Sequence, residues 1–284
     1  MDNKIRSIAV YVDEDAGTKS AVEAAGRLAS VFDASFFGVH ASSGATAIAL
    51  APAAGGMATG VMIDEMQQQA EERARRAKEL FNAVTAENSW KADWHRIEAN
   101  GLAPREKIAR AAFLADMVVM SRQDADSPAL VTIQDTIVDS GRPVLVHPEN
   151  WTGPIGEAHA MIAWKPGRQA ARAVADALPF LERAARVTVF AATSDEAGEN
   201  TPAVAQAGEL CLFLKKHGIE ASAEVVYETD DGDTADALLS KATEAGVDLL
   251  VAGAYSHSRL RESIFGGISR DIIEKTTVPA LLSH

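Results

Sequence analysis

The residues whose types and spacing most clearly could bind a ligand are the glycines and hydroxyl side chains of residues 253–269. They follow a short apolar strand predicted at 249–252. Glycine lets the backbone approach a ligand closely and adopt positive φ, and the N–H groups of such a loop can point outward. A helix predicted to begin near Gly267 adds unpaired N–H donors and the positive end of its dipole. This combination can hold phosphate without a cluster of lysines. The same glycines also occur in tight strand–loop–helix turns that bind nothing.

A repeated order of strands and helices must position this loop. Apolar runs predict strands in the first half at residues 8–12, 35–40, 90–97, 117–120 and 143–146. Helical spacing predicts the helices between them at 19–32, 64–87, 105–114 and 130–139. In the second half the same patterns predict strands at 160–164, 186–191, 221–227, 249–252 and 279–282, and helices at 169–181, 204–217, 234–245 and 268–275. The apolar stretch at 45–62 contains Pro52 and two adjacent glycines, which favours a loop over a membrane-spanning helix.

The two halves are predicted to be a duplication. The run ADMVVMS at residues 115–121 matches VDLLVAG at 247–253, and Arg142-Pro143 matches Val278-Pro279. The Pro, Gly and Asn content of residues 148–154 indicates a linker. We therefore predict two α/β domains, at residues 1–148 and 155–284, each with a doubly wound, mainly parallel, five-stranded sheet. Ligands of such sheets bind beyond the carboxyl ends of the strands, where the strand order reverses.

Composition limits the classes of partner. The 284 residues carry a formal net charge of -13, which argues against nucleic acid because phosphate backbones recruit clustered Lys and Arg. The single cysteine cannot form a disulfide within the chain, and the first residues form no apolar signal segment, so we expect a cytoplasmic protein without a membrane partner. The seven histidines show no metal-ligand spacing, so no metal site is predicted. No Ser, His and Asp arrangement predicts catalytic residues.

Residues 253–269 resemble the phosphate-binding loop of the universal stress protein family. In that family the fourth strand runs into a glycine, two residues, a second glycine, nine residues, and then a glycine and a small residue that open the last helix. Gly253 and Gly266 stand at that spacing, and Gly267 takes the small position. The resemblance extends to HSRLRE at 257–262, to Ile162-Ala163-Trp164 and to RQAARA at 168–173. It covers both halves through their shared order of elements.

This resemblance implies that the second domain binds ATP or another adenine nucleotide, with or without Mg²⁺. The phosphates and ribose would lie against the loop, and the end of the first strand of that domain would flank the adenosine. The residues implied for the site are Ala163, Trp164, Lys165, Ala252, Gly253, Tyr255, Ser256, Gly266, Gly267, Ile268 and Ser269.

Two positions depart from the family pattern. Ser256 replaces the second glycine, and its Cβ costs roughly 1 kcal/mol or more if that position needs a left-handed backbone. Lys165 stands near where the family usually has an aspartate beside the ribose. This lysine either favours an anionic ligand or is an ordinary solvated side chain.

The first half keeps the aspartate and lacks the glycines. Asp13 stands where the family has it, and it is also a candidate cap for the next helix. Asp124 and Asp126 would repel phosphate, and the segment from Ser121 to Pro143 is four residues shorter than that from Gly253 to Pro279. We therefore predict a scaffold in the first half and one nucleotide per chain.

Three functions stay open from the sequence. The leading hypothesis is a stress-response protein that holds the nucleotide without needing to turn it over and so biases an unknown protein partner. A second is an interaction module whose pockets have decayed and which needs no nucleotide, and a third is a slow ATPase, for which no general base is evident. The resemblance also implies that residues 143–146 and 279–282 pair across a two-fold axis. That pairing would make an intrachain pseudo-dimer, and the sequence leaves a homodimer of two chains open.

Overall fold

The computed structural model describes residues 4–14, 17–42, 60–98, 104–122, 128–149, 151–155, 157–193, 201–227, 234–254 and 267–284. The strands are β1 Ser7–Tyr11, β2 Ser35–Ser42, β3 Ala92–Glu98, β4 Met117–Ser121, β5 Val144–His147, β6 His159–Ala163, β7 Arg186–Thr193, β8 Ala221–Tyr227, β9 Leu249–Gly253 and β10 Ala280–Ser283. The helices are α1 Gly17–Phe32, α2 Gly60–Glu87, α3 Pro104–Ala112, α4 Pro128–Asp139, α5 Arg168–Leu181, α6 Pro202–Lys216, α7 Thr234–Glu244 and α8 Gly267–Lys275.

These elements confirm the predicted order of strands and helices in both halves, with ends displaced by a few residues. The loop predicted at residues 45–62 is wrong at its end, because α2 already begins at Gly60. The helix formers Glu65, Met66 and Gln67 follow closely, and the helix that they favour extends back to Gly60. Residues 45–59 lie outside the described residues.

By the contacts between its residues, the chain divides into two compact units. One consists of Ile5–Ser121 and Val131–Arg142, and the other is mainly Pro143–His284. In the first unit four parallel strands lie in the order β3-β2-β1-β4. In the second unit the order is β5-β10-β9-β6-β7-β8, and every neighbouring pair except β5 with β10 is parallel. The predicted mainly parallel α/β fold is thereby confirmed.

Strand β5 pairs antiparallel with β10, with Leu145 opposite Leu281 and Val144 opposite Leu282. The pairing expected of the last strands of the two halves is therefore present. It also explains why β5 belongs to the second unit by contacts, although it ends the first half of the sequence. The domain bounds 1–148 and 155–284 stay a prediction about the duplication, and so does the pseudo-dimer.

Helix α5 shows how the second unit covers its sheet. Its buried positions Ala170, Ala173, Val174, Ala177 and Leu181 recur at helical spacing and form one apolar face. This face packs across β9 and β10. All four residues of β10 and the first four of β9 are buried, as expected for parallel strands with helices on both faces.

The exposed face of α2 is charged. Arg75 pairs with Glu72 and with Glu79, both at 2.6 Å. All three side chains are largely exposed, so each pair stabilises the helix by only tenths of a kcal/mol.

Among the described helices, none is long and apolar enough to span a membrane. The described residues also contain no group of His, Cys, Asp and Glu side chains that could hold a metal ion. Cys211 is half-buried on α6, and burial raises the pKa of its thiol. A protonated thiol is a poor nucleophile.

Candidate functional site

In the second unit the strand order reverses between β6 and β9. From β6 the chain moves to β7 and β8 on one side, and β9 and β10 lie on the other. Ala163 at the end of β6 pairs with Ala252 of β9. Sheets of this kind bind ligands beyond such a reversal, at the carboxyl ends of the strands. The structure therefore brings the predicted residues Ala163 and Ala252 together at the edge where a ligand would be expected.

Gly253 ends β9 directly beneath the first turn of α5. A Cβ atom on Gly253 would lie 2.5 Å from the Ala170 nitrogen and 2.6 Å from the Gln169 carbonyl carbon. These are backbone atoms, so a larger residue would push α5 off the sheet. A positive φ is not the reason for this glycine, since the glycines with positive φ in the described chain are Gly141, Gly218 and Gly246. Close approach of helix to strand is what requires this glycine.

Two residues at the end of β10 complete this edge. Ser283 pairs in register with Gly253, and its carbonyl oxygen accepts the Ala254 N–H at 2.8 Å. The His284 Nδ1 donates to the Ala254 carbonyl oxygen at 3.0 Å. The Ser283 Oγ is buried and has no hydrogen-bond partner in the described part of the chain. Sequence reasoning missed both residues, and the one signal for them was their place at the end of the last strand.

Helix α8 begins at Gly267, where the sequence predicts it. It runs back from the carboxyl edge to the start of β10, so its N-terminal turn lies at that edge. Ile268 is 42% exposed and Ser269 is buried in the first turn. Tyr255, Ser256 and Gly266, like His257, lie outside the described residues.

Trp164 and Lys165 follow the end of β6. The Trp164 N–H donates to the Phe190 carbonyl oxygen at 2.7 Å, which extends the β6–β7 pairing by one residue. Its indole Nε1 donates to the Gln206 carbonyl oxygen at 3.2 Å, so the ring lies against α6. Lys165 is exposed, and the next residues lead to Gly167, which caps α5 without a side-chain hydrogen bond.

The corresponding edge of the first unit is occupied by its own side chains. The Asp13 carboxylate accepts the Tyr11 hydroxyl at 2.8 Å and the Glu14 N–H at 2.9 Å. Whether Asp13 also caps α1 stays a prediction, since residues 15 and 16 lie outside the described residues. Glu14 in turn pairs with Arg73 at 3.1 Å and Arg76 at 2.6 Å on α2. Asp124 and Asp126 lie outside the described residues.

His147 is the last residue of β5, as Ser283 is the last residue of β10. Its backbone hydrogen bond with Arg122 corresponds to the bond between Ser283 and Ala254. The His147 carbonyl oxygen accepts the Arg122 N–H at 2.8 Å. The His147 ring is fully buried, its Nδ1 donates to the Pro148 carbonyl oxygen at 2.9 Å, and no described residue hydrogen-bonds its Nε2. Burial lowers the pKa of His147 to about 4, with the Pro148 hydrogen bond opposing this shift. The ring is therefore neutral at pH 7.

Comparisons with known proteins point to one family. The model of the universal stress protein family matches residues 159–284. A curated universal stress protein from Synechocystis is 27% identical over 89 residues, a match that covers 31% of this chain and 30% of that protein. The matched stretch thus spans less than a third of this relative.

One solved structure matches the fold over nearly the whole chain. A universal stress protein from Archaeoglobus fulgidus is 16% identical in sequence and superposes with a TM-score of 0.73. The match covers 99% of this chain and 97% of that protein's chain. This likeness shows the tandem α/β fold. Another universal stress protein from the same species, solved in complex with dAMP, is 17% identical, covers 50% of this chain and 96% of its own, and has a TM-score of 0.34. The family match includes the reversal at Ala163 and Ala252, Gly253 and the start of α8, and this second half of the chain belongs to the universal stress protein family.

Proposed function

We propose that the second half of the chain binds ATP or a related adenine nucleotide at the carboxyl edge beside Gly253, as a cytoplasmic stress-response protein. The observation that carries this proposal is the reversal of strand order between β6 and β9, with the N-termini of α5 and α8 at the same edge. Helix N-termini supply N–H donors and positive potential. They offer phosphate a site in a chain whose formal net charge is -13.

Within this site the phosphates lie at residues 253–256 and 266–269, and the adenosine lies beside Ala163 and Trp164. Lys165 adds an exposed cation near the ligand. Mg²⁺ would be held by the phosphates, since the described residues offer no group of metal ligands. The bound nucleotide biases an interaction with a protein partner and need not be hydrolysed.

One nucleotide per chain is expected. In the first unit the Asp13 carboxylate is engaged by Tyr11 and Glu14. Ser121 stands where the second half has Gly253, and it is buried. A nucleotide in the first half would have to displace these internal contacts.

Isothermal titration of purified, ligand-free protein with ATP, ADP and AMP tests the proposal. Binding of one nucleotide per chain is expected, and no binding of any of the three refutes the proposal. A Gly267→Asp variant places a carboxylate at the first residue of α8, which suits the helix dipole but repels phosphate. It should bind at least about tenfold more weakly. Ala203→Asp, which adds the same charge in the first turn of α6, is the matched control and should bind normally.

The two other functions make different predictions in the same assays. If the chain is a nucleotide-independent interaction module, the parent does not bind nucleotide and Ser256→Gly creates affinity. Tight binding by the parent rules this out. If the chain is a slow ATPase, phosphate release must exceed that of a Gly266→Asp variant.

A further inference from the structure

Ser283 carries a buried hydroxyl that no described residue hydrogen-bonds. The residue is 1% exposed, and its Oγ has no hydrogen-bond partner in the described chain. Burying a polar group without a partner costs its free energy of hydration. An alanine would occupy the same place in β10 without that cost, so the hydroxyl suggests a partner from outside the fold.

The register of the sheet shows where the Ser283 side chain points. Ser283 of β10 is the partner of Gly253 of β9, and partners in parallel strands direct their side chains to the same face. The Cβ direction of Gly253 leads to Gln169 and Ala170, in the first turn of α5. Ser283 therefore points to the face that α5 covers, at the level of its N-terminal turn.

The N-terminus of α5 offers hydrogen-bond donors at that level. The helix has 14 residues. Its cap residue, Gly167, has no side chain that could accept a hydrogen bond from the first turn. The first bond within the helix runs from the Ala171 N–H to the Gly167 carbonyl oxygen at 2.9 Å, so the preceding N–H groups have no acceptor inside α5. Gln169, 9% exposed, adds a polar side chain in the same turn. These donors and the helix dipole favour an anionic oxygen.

Helices α5 and α8 present their N-termini from opposite faces of the sheet. The connection through α5 runs from β6 to β7, and that through α8 runs from β9 to β10 in the opposite direction along the sheet. Right-handed crossovers in opposite directions place their helices on opposite faces. Gly253 ends β9 between these two N-termini. A chain of phosphates that starts at α8 would cross this edge and reach the α5 side.

We propose that the Ser283 hydroxyl and the first turn of α5 form a second phosphate subsite. The site then selects nucleoside di- and triphosphates over monophosphates, because only a second phosphate reaches Ser283. This inference rests on the proposed nucleotide-binding function. It adds a residue of β10 to a site otherwise built from residues 253–269 and the end of β6.

Calorimetric titration of the full chain with ATP, ADP and AMP tests the subsite in the parent and in Ser283→Ala. We expect Ser283→Ala to weaken ATP and ADP binding about tenfold and to leave AMP binding unchanged. Its urea midpoint without ligand should stay the same or rise, because an unsatisfied buried hydroxyl is removed. Ser222→Ala, at an exposed position of β8, is the matched control and should change neither measurement.

The outcomes separate this inference from the function on which it rests. If the parent binds ATP and Ser283→Ala binds it equally well, the second subsite is refuted and the nucleotide function stands. An equal loss for ATP and AMP also refutes the subsite, because Ser283 would then contact a part common to both ligands. If the parent binds none of the three nucleotides, both proposals fail.

Discussion

Replacing His147 by glutamine should make the protein less sensitive to mild acid. The ring is fully buried, and its Nδ1 donates to the Pro148 carbonyl oxygen. Burial lowers the pKa of His147 to about 4, from an ordinary value of 6.5. An unfolded chain exposes this ring to water, so the proton binds more readily to the unfolded state than to the folded state.

The direction of the effect follows from the two pKa values. Because the folded pKa is the lower one, the stabilisation is complete above about pH 6.5 and is lost as the pH falls towards about 4. At about 1.4 kcal/mol for each pKa unit, the full loss amounts to about 3 kcal/mol. Roughly 2 kcal/mol of it develops between pH 7.5 and pH 5.0.

Urea unfolding at pH 7.5 and pH 5.0 measures this loss. The parent should lose about 2 kcal/mol more free energy of unfolding than His147→Gln over this range. His217→Gln is the matched control, since His217 is exposed, and it should lose as much as the parent. Carboxylates that titrate near pH 5 are common to all three proteins and cancel in the comparison. An equal loss in His147→Gln and the parent would refute the assignment of a buried neutral ring.

Three further substitutions test the site by simpler means. Gly253→Ala should lower the free energy of unfolding by about 2 kcal/mol, because its Cβ meets the backbone of α5, and an unchanged value contradicts this. Gly208→Ala is its control inside α6, where a Cβ has open space, and it should instead stabilise by roughly 0.5–1 kcal/mol. Lys165→Met should weaken ATP binding about threefold at low salt and hardly at all at high salt, and a salt-independent loss argues against a screened charge. Trp164→Phe removes the hydrogen bond to the Gln206 carbonyl oxygen and should cost about 1 kcal/mol in urea unfolding, whereas no cost would show that this bond is dispensable.

Local patterns in the sequence were sufficient for the elements and for part of the site. The apolar runs before Trp164 and Gly253 predict β6 and β9, because strand and helix periodicities are local properties. The rule that ligands bind at a reversal of strand order then directs attention to Ala163 and Ala252, which the structure pairs. The start of α8 at Gly267 likewise agrees with its prediction.

Contacts that depend on competing partners were harder to predict. The sequence offered Asp13 as a candidate cap of α1 and gave no sign that its carboxylate accepts the Tyr11 hydroxyl and the Glu14 N–H. Sequence order cannot rank such donors, because their distances depend on side-chain directions. The end of the first half was also hard to place, since β5 ends the first half of the sequence and yet pairs with β10.

By itself the sequence determined the α/β class, the duplicated order of elements and the family of the second half, because each follows from short-range periodicity or from the spacing of residues 253–269. Only the tertiary structure decided why Gly253 must be glycine and which buried polar groups lack a hydrogen-bond partner among the described residues. The first depends on how closely α5 approaches β9. The second depends on the burial of His147 and Ser283 by elements distant in sequence. Burial and close approach are properties of packed elements, and no local pattern contains them.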